Sequence, residues 1–278
     1  MKKIASYALG CKVNQYESEA IAELFAEKGY EVVSVEDTAD IYIINTCTVT
    51  NFGDKKSRQL IRKVKRQNEN AVVAVVGCYA QTAPKELEEI MGVNLVIGTK
   101  DKSKIVELVK AYQQEQGVCN YVTDIMHERT FEPLSIQKLS NRTRAYLKIQ
   151  DGCSQFCSYC IIPYARGPIR SRAPKDVVEE VKRLAENGFK EVVLTGIHVA
   201  SYGKDLKTVT LTDIIKQVHD VEGIERIRFS SIEPNVVTET FAKEMAKLPK
   251  VCDHFHLSLQ SGCDKTLKEM NRKYDTIQ

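Results

Sequence analysis

The sequence predicts an α/β protein: a parallel α/β domain followed by part of a βα barrel. Three observations predict it. Short apolar runs alternate with stretches of helical spacing along most of the 278 residues, as in parallel sheets covered by crossover helices. The alternation breaks once, over 123–142, and then resumes, which divides the chain in two. Hydrophobic residues make up 43% and charged residues 28%, a balance that suits globular domains with buried cores.

In the first domain, residues 1–122, "KIASYA" at 3–8 reads as a strand, and 15–28 as a helix from the spacing of Ile21, Leu24 and Phe25. Apolar runs at 31–34, 41–44, 72–76 and 94–97 supply further strands, with helical patterns at 54–67, 84–91 and 102–115. Residues 123–142 lack periodicity, contain Pro133 and read as a linker. The second domain, 143–278, restarts with a strand at 144–150. A helix at 175–188 follows, with Gly188 as its C-cap. Strands at 191–196, 226–231 and 254–262 alternate with helices at 211–221, 237–248 and 264–272. Four βα units cannot close an eight-stranded barrel, so the expectation is a chain cut short.

Composition excludes several classes. The longest apolar run, 71–80, is too short to span a bilayer. The N-terminus turns polar too early for a signal peptide. A cytoplasmic protein without membrane attachment is expected. Nine cysteines, an odd number in a leaderless chain, argue against a disulfide framework and for metal or redox chemistry. The net charge of +3 does not by itself predict a nucleic-acid partner, which depends on how the charge is grouped.

Six of the cysteines form two sets. Cys11, Cys47 and Cys78 each follow a predicted strand, at 3–8, 41–44 and 72–76. Parallel strands share one C-terminal edge, where open α/β sheets bind ligands. Gly10 and Gly77 stand directly before two of these cysteines, where backbone must approach something closely. A single such cysteine would read as a small buried hydrophobe; three at equivalent strand ends outweigh that reading. The second set is local: Cys153, Cys157 and Cys160 in "DGCSQFCSYC", just after the first strand of the second domain. A zinc site completed by His198 is the competing reading, but structural zinc sites favour C-x2-C pairs. A four-iron cluster held by three thiolates leaves one iron open for substrate or cofactor.

"CSQFCSYC" resembles the CxxxCxxC signature of radical S-adenosylmethionine (SAM) enzymes. The longer stretch "DGCSQFCSYCIIPYARGPIRSR", 151–172, resembles the methylthiotransferases that modify tRNA. So do "ALGCKVNQYESE", "INTCTVT", "VVGCYAQ", "TGIHVASYG", "SSIEP" and "LSLQSG". "TGIHV" is most similar to the branch that acts on N6-threonylcarbamoyladenosine at position 37 of the tRNA anticodon loop. The resemblance implies a [4Fe–4S] cluster on Cys153, Cys157 and Cys160 that binds SAM and cleaves it to a 5′-deoxyadenosyl radical. It implies a second [4Fe–4S] cluster on Cys11, Cys47 and Cys78 that presents sulfur to C2 of the adenine, and a second SAM that supplies the methyl group. An electron donor such as flavodoxin or ferredoxin is implied as well. One crevice between the two α/β units is expected to hold the substrate. No acid/base pair is assigned, because cofactors carry this chemistry and the protein positions them. Members of this family usually carry a six-unit partial barrel and a small RNA-binding TRAM domain. The sequence shows about four units and no TRAM.

Lesser signals fill in the site. Tyr159, Thr195, Gly196, Ser231, Glu233 and Gln260 lie in the cluster loop or at strand ends, where polar groups could bind SAM. Arg166, Arg170 and Arg172 follow the cluster loop and are expected to contact the tRNA backbone or the threonyl carboxylate; surface ion pairing is the plainer alternative. The run 54–67 carries Lys55, Lys56, Arg58, Arg62, Lys63, Lys65 and Arg66. It is either a solvated helix face or a surface that attracts phosphate. His254 and His256 share a strand face, and Cys119, Cys252 and Cys263 are expected to be structural. A methylthiotransferase for another modified adenosine or for a ribosomal protein residue remains open. So does a non-catalytic metal-binding RNA module.

Overall fold

A computed structural model describes residues 1–48, 51–112, 117–136 and 144–277, with backbone alone over 51–54. The chain divides into two compact units. The first contains β1 (Lys3–Ala8), α1 (Lys12–Glu27), β2 (Glu31–Val32), β3 (Ile41–Thr46), α2 (Asn51–Gln67), β4 (Val72–Gly77), α3 (Cys78–Thr82), α4 (Pro84–Glu88), β5 (Leu95–Ile97), α5 (Ile105–Tyr112) and β6 (Cys119–Asn120). Every described pairing in its sheet is parallel, in the order β2-β1-β3-β4-β5-β6.

The strands at the centre are apolar on both faces because helices cover both. β3 is buried throughout. Tyr42 and Ile44 face one way, with Val73 and Val75 of β4, against Ile61 and Val64 of α2. Ile41 and Ile43 face the other way, with Ala74 and Val76, against Ile21 and Phe25 of α1 and Ile105 and Val109 of α5. That alternation is the period of two that a strand imposes on its side chains.

Three expectations change here. The helix expected at 84–91 is shortened to α4, Pro84–Glu88, and a further short helix, α3, precedes it. Ala83 between them leaves helical geometry, and Pro84, which has no N–H to donate, restarts the helix at its first turn. The helix expected at 102–115 begins as a 3-10 turn, Lys102–Lys104, before α5; its positions 113–115 lie outside the described residues. The stretch expected to be a linker is anchored over its described part. Ile125, Leu134 and Ile136 are buried, and the Tyr16 hydroxyl donates to the Leu134 carbonyl at 2.7 Å. Its positions 137–142 lie outside the described residues.

The second unit comprises 129–131 and most of the chain from 144 onward. It contains β7 (Arg144–Asp151), the start of α6 (Ile162–Arg166), β8 (Arg170–Ser171), α7 (Pro174–Glu186), β9 (Glu191–Gly196), α8 (Leu211–His219), β10 (Arg226–Phe229), α9 (Glu239–Met245) and α10 (Asp264–Glu269). Tyr164–Arg166, the end of α6, belong to the first unit. The sheet order is β10-β9-β7-β8. β7, β9 and β10 pair in parallel, and β8 is antiparallel. Asn187 caps α7, and Gly188 follows it at φ +88°, the left-handed position that glycine takes after a helix end. Thr210 and Asp213 form a reciprocal capping box at the start of α8.

The strand expected at 254–262 does not form. Only isolated parallel bridges join Ile227 to Val251 and Ile232 to Leu257. Leu257 and Leu259 are exposed, and Gln260 turns to φ +63°, which breaks an extended run. His254 and His256 are exposed, while Phe255 between them stacks on Phe229 at 5.8 Å. Among the described residues no helix is long and apolar enough to cross a membrane.

Candidate metal centres

The strands that precede the three scattered cysteines, β1, β3 and β4, are neighbours in the sheet. The chain thus carries Cys11, Cys47 and Cys78 to adjacent C-terminal strand ends. Cys11 is the N-cap of α1 and is exposed; Cys47 and Cys78 are buried. Two glycines let the backbone crowd in. Gly10 has φ +97°, and a Cβ there would stand 2.6 Å from the Cys47 sulfur. Gly77 also has φ +97°, and a Cβ there would stand 2.3 Å from Asn45 Oδ1. Both positions therefore exclude a side chain. Burial raises the Cys78 thiol pKa, and Arg166 opposes the rise. The Cys11 pKa is raised by desolvation at its sulfur, and the neighbouring Cys47 adds to the rise.

A buried polar network, all within the first unit, supports this edge. Arg166 is fully buried. Its Nε donates to Cys78 Sγ at 3.1 Å, Nη1 to Glu17 Oε1 at 2.6 Å and Nη2 to Asn14 Oδ1 at 2.5 Å. Asn14 Nδ2 donates to the carbonyls of Leu9 at 2.8 Å and Thr46 at 2.9 Å, which ties the loops after β1 and β3 together. Glu17 also lies 3.4 Å from the buried Lys102 Nζ, which in turn faces Glu132 at 3.6 Å. Buried charges survive only when paired in this way.

The other two arginines after the cysteine loop are buried as well. Arg170 is buried, donates to the Pro168 carbonyl at 2.9 Å and lies 3.5 Å from Asp151. Arg172 is buried and pairs with Glu180 at 2.5 Å. All three guanidinium groups are buried against the chain's own acids, where the expectation had them contacting the tRNA backbone or the threonyl carboxylate.

The local trio follows β7. Gly152, φ +70°, has no room for a Cβ, which would meet the Pro168 carbonyl at 1.9 Å. The Cys153 N–H donates to the Gly167 carbonyl at 2.9 Å, and the Cys160 N–H to the Cys157 carbonyl at 3.0 Å, so the loop wraps around its own sulfurs. All three cysteines are partly exposed. Burial pushes the Cys153 thiol up to about 11 and raises Cys160 as well, with Cys157 adding to both. A bound metal would therefore displace protons from the Cys153 and Cys160 thiols.

Glu233, just beyond β10, organises the surroundings of this loop. It is buried and lies 2.9 Å from His198 Nε2 and 3.0 Å from Arg272 Nη2, and it accepts from Gln155 Nε2 at 3.1 Å. Burial acts to raise its pKa, but His198 and Arg272 hold the carboxyl below its ordinary value. Arg272 Nη1 also donates to Cys157 Sγ at 3.1 Å. Among the other expected SAM-contact residues, Thr195 is buried with its hydroxyl on the Val193 carbonyl at 3.2 Å. Gly196 packs on Gln150, where a Cβ would stand 2.8 Å from Oε1. Tyr159, Ser231 and Gln260 are exposed. Sequence reasoning missed Asn14, Glu17, Lys102, Gln155 and Arg272. Asn14 and Glu17 did leave a signal: two polar residues three apart on the apolar face of α1.

Among the described residues no group of three His, Cys, Asp or Glu side chains could hold a metal ion as placed. A cubane cluster makes a different demand, since its thiolates bind separate irons and stand farther apart than the ligands of one ion. Cys11 lies in electrostatic reach of both Cys47 and Cys78, and Cys153, Cys157 and Cys160 of one another; two sets of three soft sulfur donors fit iron–sulfur chemistry in donor type.

Residues 3–98 match the family described as "Uncharacterized protein family UPF0004", and residues 147–277 match the radical SAM superfamily. The threonylcarbamoyladenosine tRNA methylthiotransferase MtaB of Bacillus subtilis is 48% identical over 99% of this chain and 61% of its own length. That of Aquifex aeolicus is 42% identical over 98% of this chain and 66% of its own. A tRNA-2-methylthio-N(6)-dimethylallyladenosine synthase of Thermoanaerobacter is 36% identical over 95% and 57%. Among solved structures, the radical S-adenosylmethionine methyltransferase TsrM of Kitasatospora setae aligns at a TM-score of 0.66 and 16% identity, over 99% of this chain and 63% of that one; this likeness concerns the fold alone. The fold and the cysteine loop after β7 thus define a radical SAM protein. Within that superfamily the chain is similar over nearly its whole length to the radical SAM methylthiotransferases that modify tRNA. It spans less than two thirds of the length of these curated relatives.

Proposed function

We propose that the chain carries out tRNA methylthiolation, converting N6-threonylcarbamoyladenosine at position 37 of the anticodon loop to its 2-methylthio derivative. The observation that supports this most is the pairing of a local cysteine trio after β7 with a second trio gathered at three adjacent strand ends. The similarity to relatives named for the threonylcarbamoyl substrate, at up to 48% identity, favours that nucleoside over the dimethylallyl one, whose named relatives stand at 36%. Cys153, Cys157 and Cys160 would hold one [4Fe–4S] cluster, and Cys11, Cys47 and Cys78 a second. When bound, the clusters and SAM supply radical formation, sulfur and the methyl group.

The chain's own residues hold that machinery in place. Arg272 steadies the Cys157 sulfur and is itself steadied by Glu233. Arg166 does the same for Cys78 through Glu17 and Asn14. Tyr159, Gly196, Ser231 and Gln260 are assigned to SAM contact. Thr195 and Glu233 are assigned to shaping its surroundings, because their polar groups are already engaged. An acidic electron carrier such as flavodoxin or ferredoxin would deliver the electron.

The test is anaerobic reconstitution followed by reaction with SAM, reductant and tRNA bearing N6-threonylcarbamoyladenosine. The expected result is close to eight irons per chain, from two four-iron clusters, release of 5′-deoxyadenosine and a 2-methylthio nucleoside on mass spectrometry. Zinc in place of iron with no SAM cleavage would refute the reading. Turnover only on tRNA carrying the dimethylallyl nucleoside would move the substrate to that branch.

A further inference from the structure

We propose that one face of α2 is a strip that binds the phosphate backbone of the RNA substrate; this rests on the tRNA reading above. From Lys55 to Gln67 the helix contains no acidic residue. Its inner face is apolar: Ile61 and Val64 are buried in the core, and Leu60 packs against them. Its outer face carries Lys55, Arg58, Arg62 and Arg66, all exposed. At 3.6 residues per turn these four project within about a quarter turn of one another, and at 1.5 Å per residue they span ~16 Å. The steps from Arg58 to Arg62 and from Arg62 to Arg66 are each about 6 Å along the axis, comparable with successive phosphates on a nucleic-acid strand.

The row is not built for the helix's own benefit. Like charges four residues apart oppose the helix that carries them. Two other cations of α2 have internal uses: Lys63 pairs with Glu36, and Lys65 donates to the carbonyls of Glu69 at 3.0 Å and Ala71 at 2.7 Å. Arg58 is held by Glu86 at 2.8 Å and the Tyr79 hydroxyl at 2.7 Å, which fixes one guanidinium on the strip. Among the described residues no acidic side chain pairs with Lys55, Arg62 or Arg66. Beside the strip lies a groove of about 1170 Å³, lined on α2 by Arg58, Arg62 and Arg66 and opposite by Glu89 and Met91. Glu89 on that side repels a polyanion and favours the crest of α2. The helix begins four residues after Cys47, so the strip starts at the cysteine-bearing edge of the sheet. A linear, evenly spaced row suits a phosphodiester chain better than the irregular acids of a protein surface.

The test is fluorescence anisotropy of a labelled anticodon stem–loop RNA with the full chain over a range of KCl. The Arg62→Ala/Arg66→Ala variant should bind at least tenfold more weakly, and its plot of log affinity against log salt should be shallower by about two, one for each lost phosphate contact. Lys63→Ala, off the strip, should bind within twofold of the unaltered chain, and all three proteins should unfold at the same urea midpoint. Equal RNA affinity and salt slope in the double variant would overturn the strip while leaving the tRNA reading intact. So would an unchanged RNA affinity together with slower reduction by an acidic flavodoxin, which would assign the strip to the electron donor. If the unaltered chain shows no salt-dependent RNA binding, the tRNA reading and the strip fall together.

Discussion

Arg166 offers the sharpest test of the network behind the first cysteine trio. Arg166→Met keeps the bulk of the side chain and removes its charge and donors. What remains is Glu17, fully buried, with its nearest cation now Lys102 at 3.4 Å. Breaking a buried pair from one side costs about 3–5 kcal/mol, because the partner charge is left stranded. Lys102 and Asn45, whose Nδ2 lies 3.4 Å from Glu17 Oε2, offset part of this, so about 3 kcal/mol is expected. At a urea slope of ~2 kcal/mol/M the midpoint should fall by about 1.5 M. The chain has no Trp and 12 Tyr, so tyrosine fluorescence of the metal-free protein is the assay. Arg166→Met/Glu17→Gln removes both charges and should recover about 1–2 kcal/mol relative to the sum of the single variants, the coupling a double-mutant cycle isolates for residues in contact. A loss below about 1 kcal/mol for Arg166→Met, or strict additivity in the double variant, would refute the view that the pair is mutually dependent.

Gly10→Ala should strip the first trio of iron, since its new methyl would stand 2.5 Å from the Cys47 Cβ in a backbone conformation that side chains rarely adopt; iron per reconstituted chain measures this, and a full complement would contradict it. The Cys153→Ala/Cys157→Ala/Cys160→Ala variant should retain about half the iron of the unaltered protein if the two trios load independently, and near-complete loss would show that one depends on the other. Glu191 gives a pH signature. Burial works to raise its pKa, but Arg226 and Arg228, each at 2.9 Å, hold it below the ordinary carboxylate value. A lowered folded pKa contributes stability above the unfolded value, about 4.3, that is lost as pH falls toward the folded one. The urea midpoint of Glu191→Gln should thus be lower at neutral pH and fall less on acidification, and parallel curves for the two proteins would count against it.

Much of the frame was legible because it obeys simple periods. The runs at 41–44 and 72–76 are apolar on both faces, and their strands lie at the centre of a sheet covered on both sides. Gly10 and Gly77 announced a close approach, and the atoms approached are Cys47 and Asn45. Other elements left little trace. β6 and β8 have two residues each, too short for a period. The alternation of His254 to Leu257 mimics a strand, but pairing fails where Gln260 takes a positive φ. For a clear reason, the burial of the arginines was not legible. Arginine beside glycine and proline in a loop suggests a solvent-facing group, and only tertiary structure reveals that Arg166 meets Glu17, 149 positions away.

The two trios also come into being on different terms. The sulfurs after β7 lie within eight consecutive residues, so a short stretch of chain suffices to bring them together. Cys11, Cys47 and Cys78 meet only once β1, β3 and β4 have docked in order, and that contact spans 67 positions. Such long-range pairing comes late because loop-closure entropy must be overcome first. During synthesis the earlier trio by number is therefore the one that has to wait for folding: its first sulfur leaves the ribosome long before its third, and an ion captured in between would find an incomplete ring.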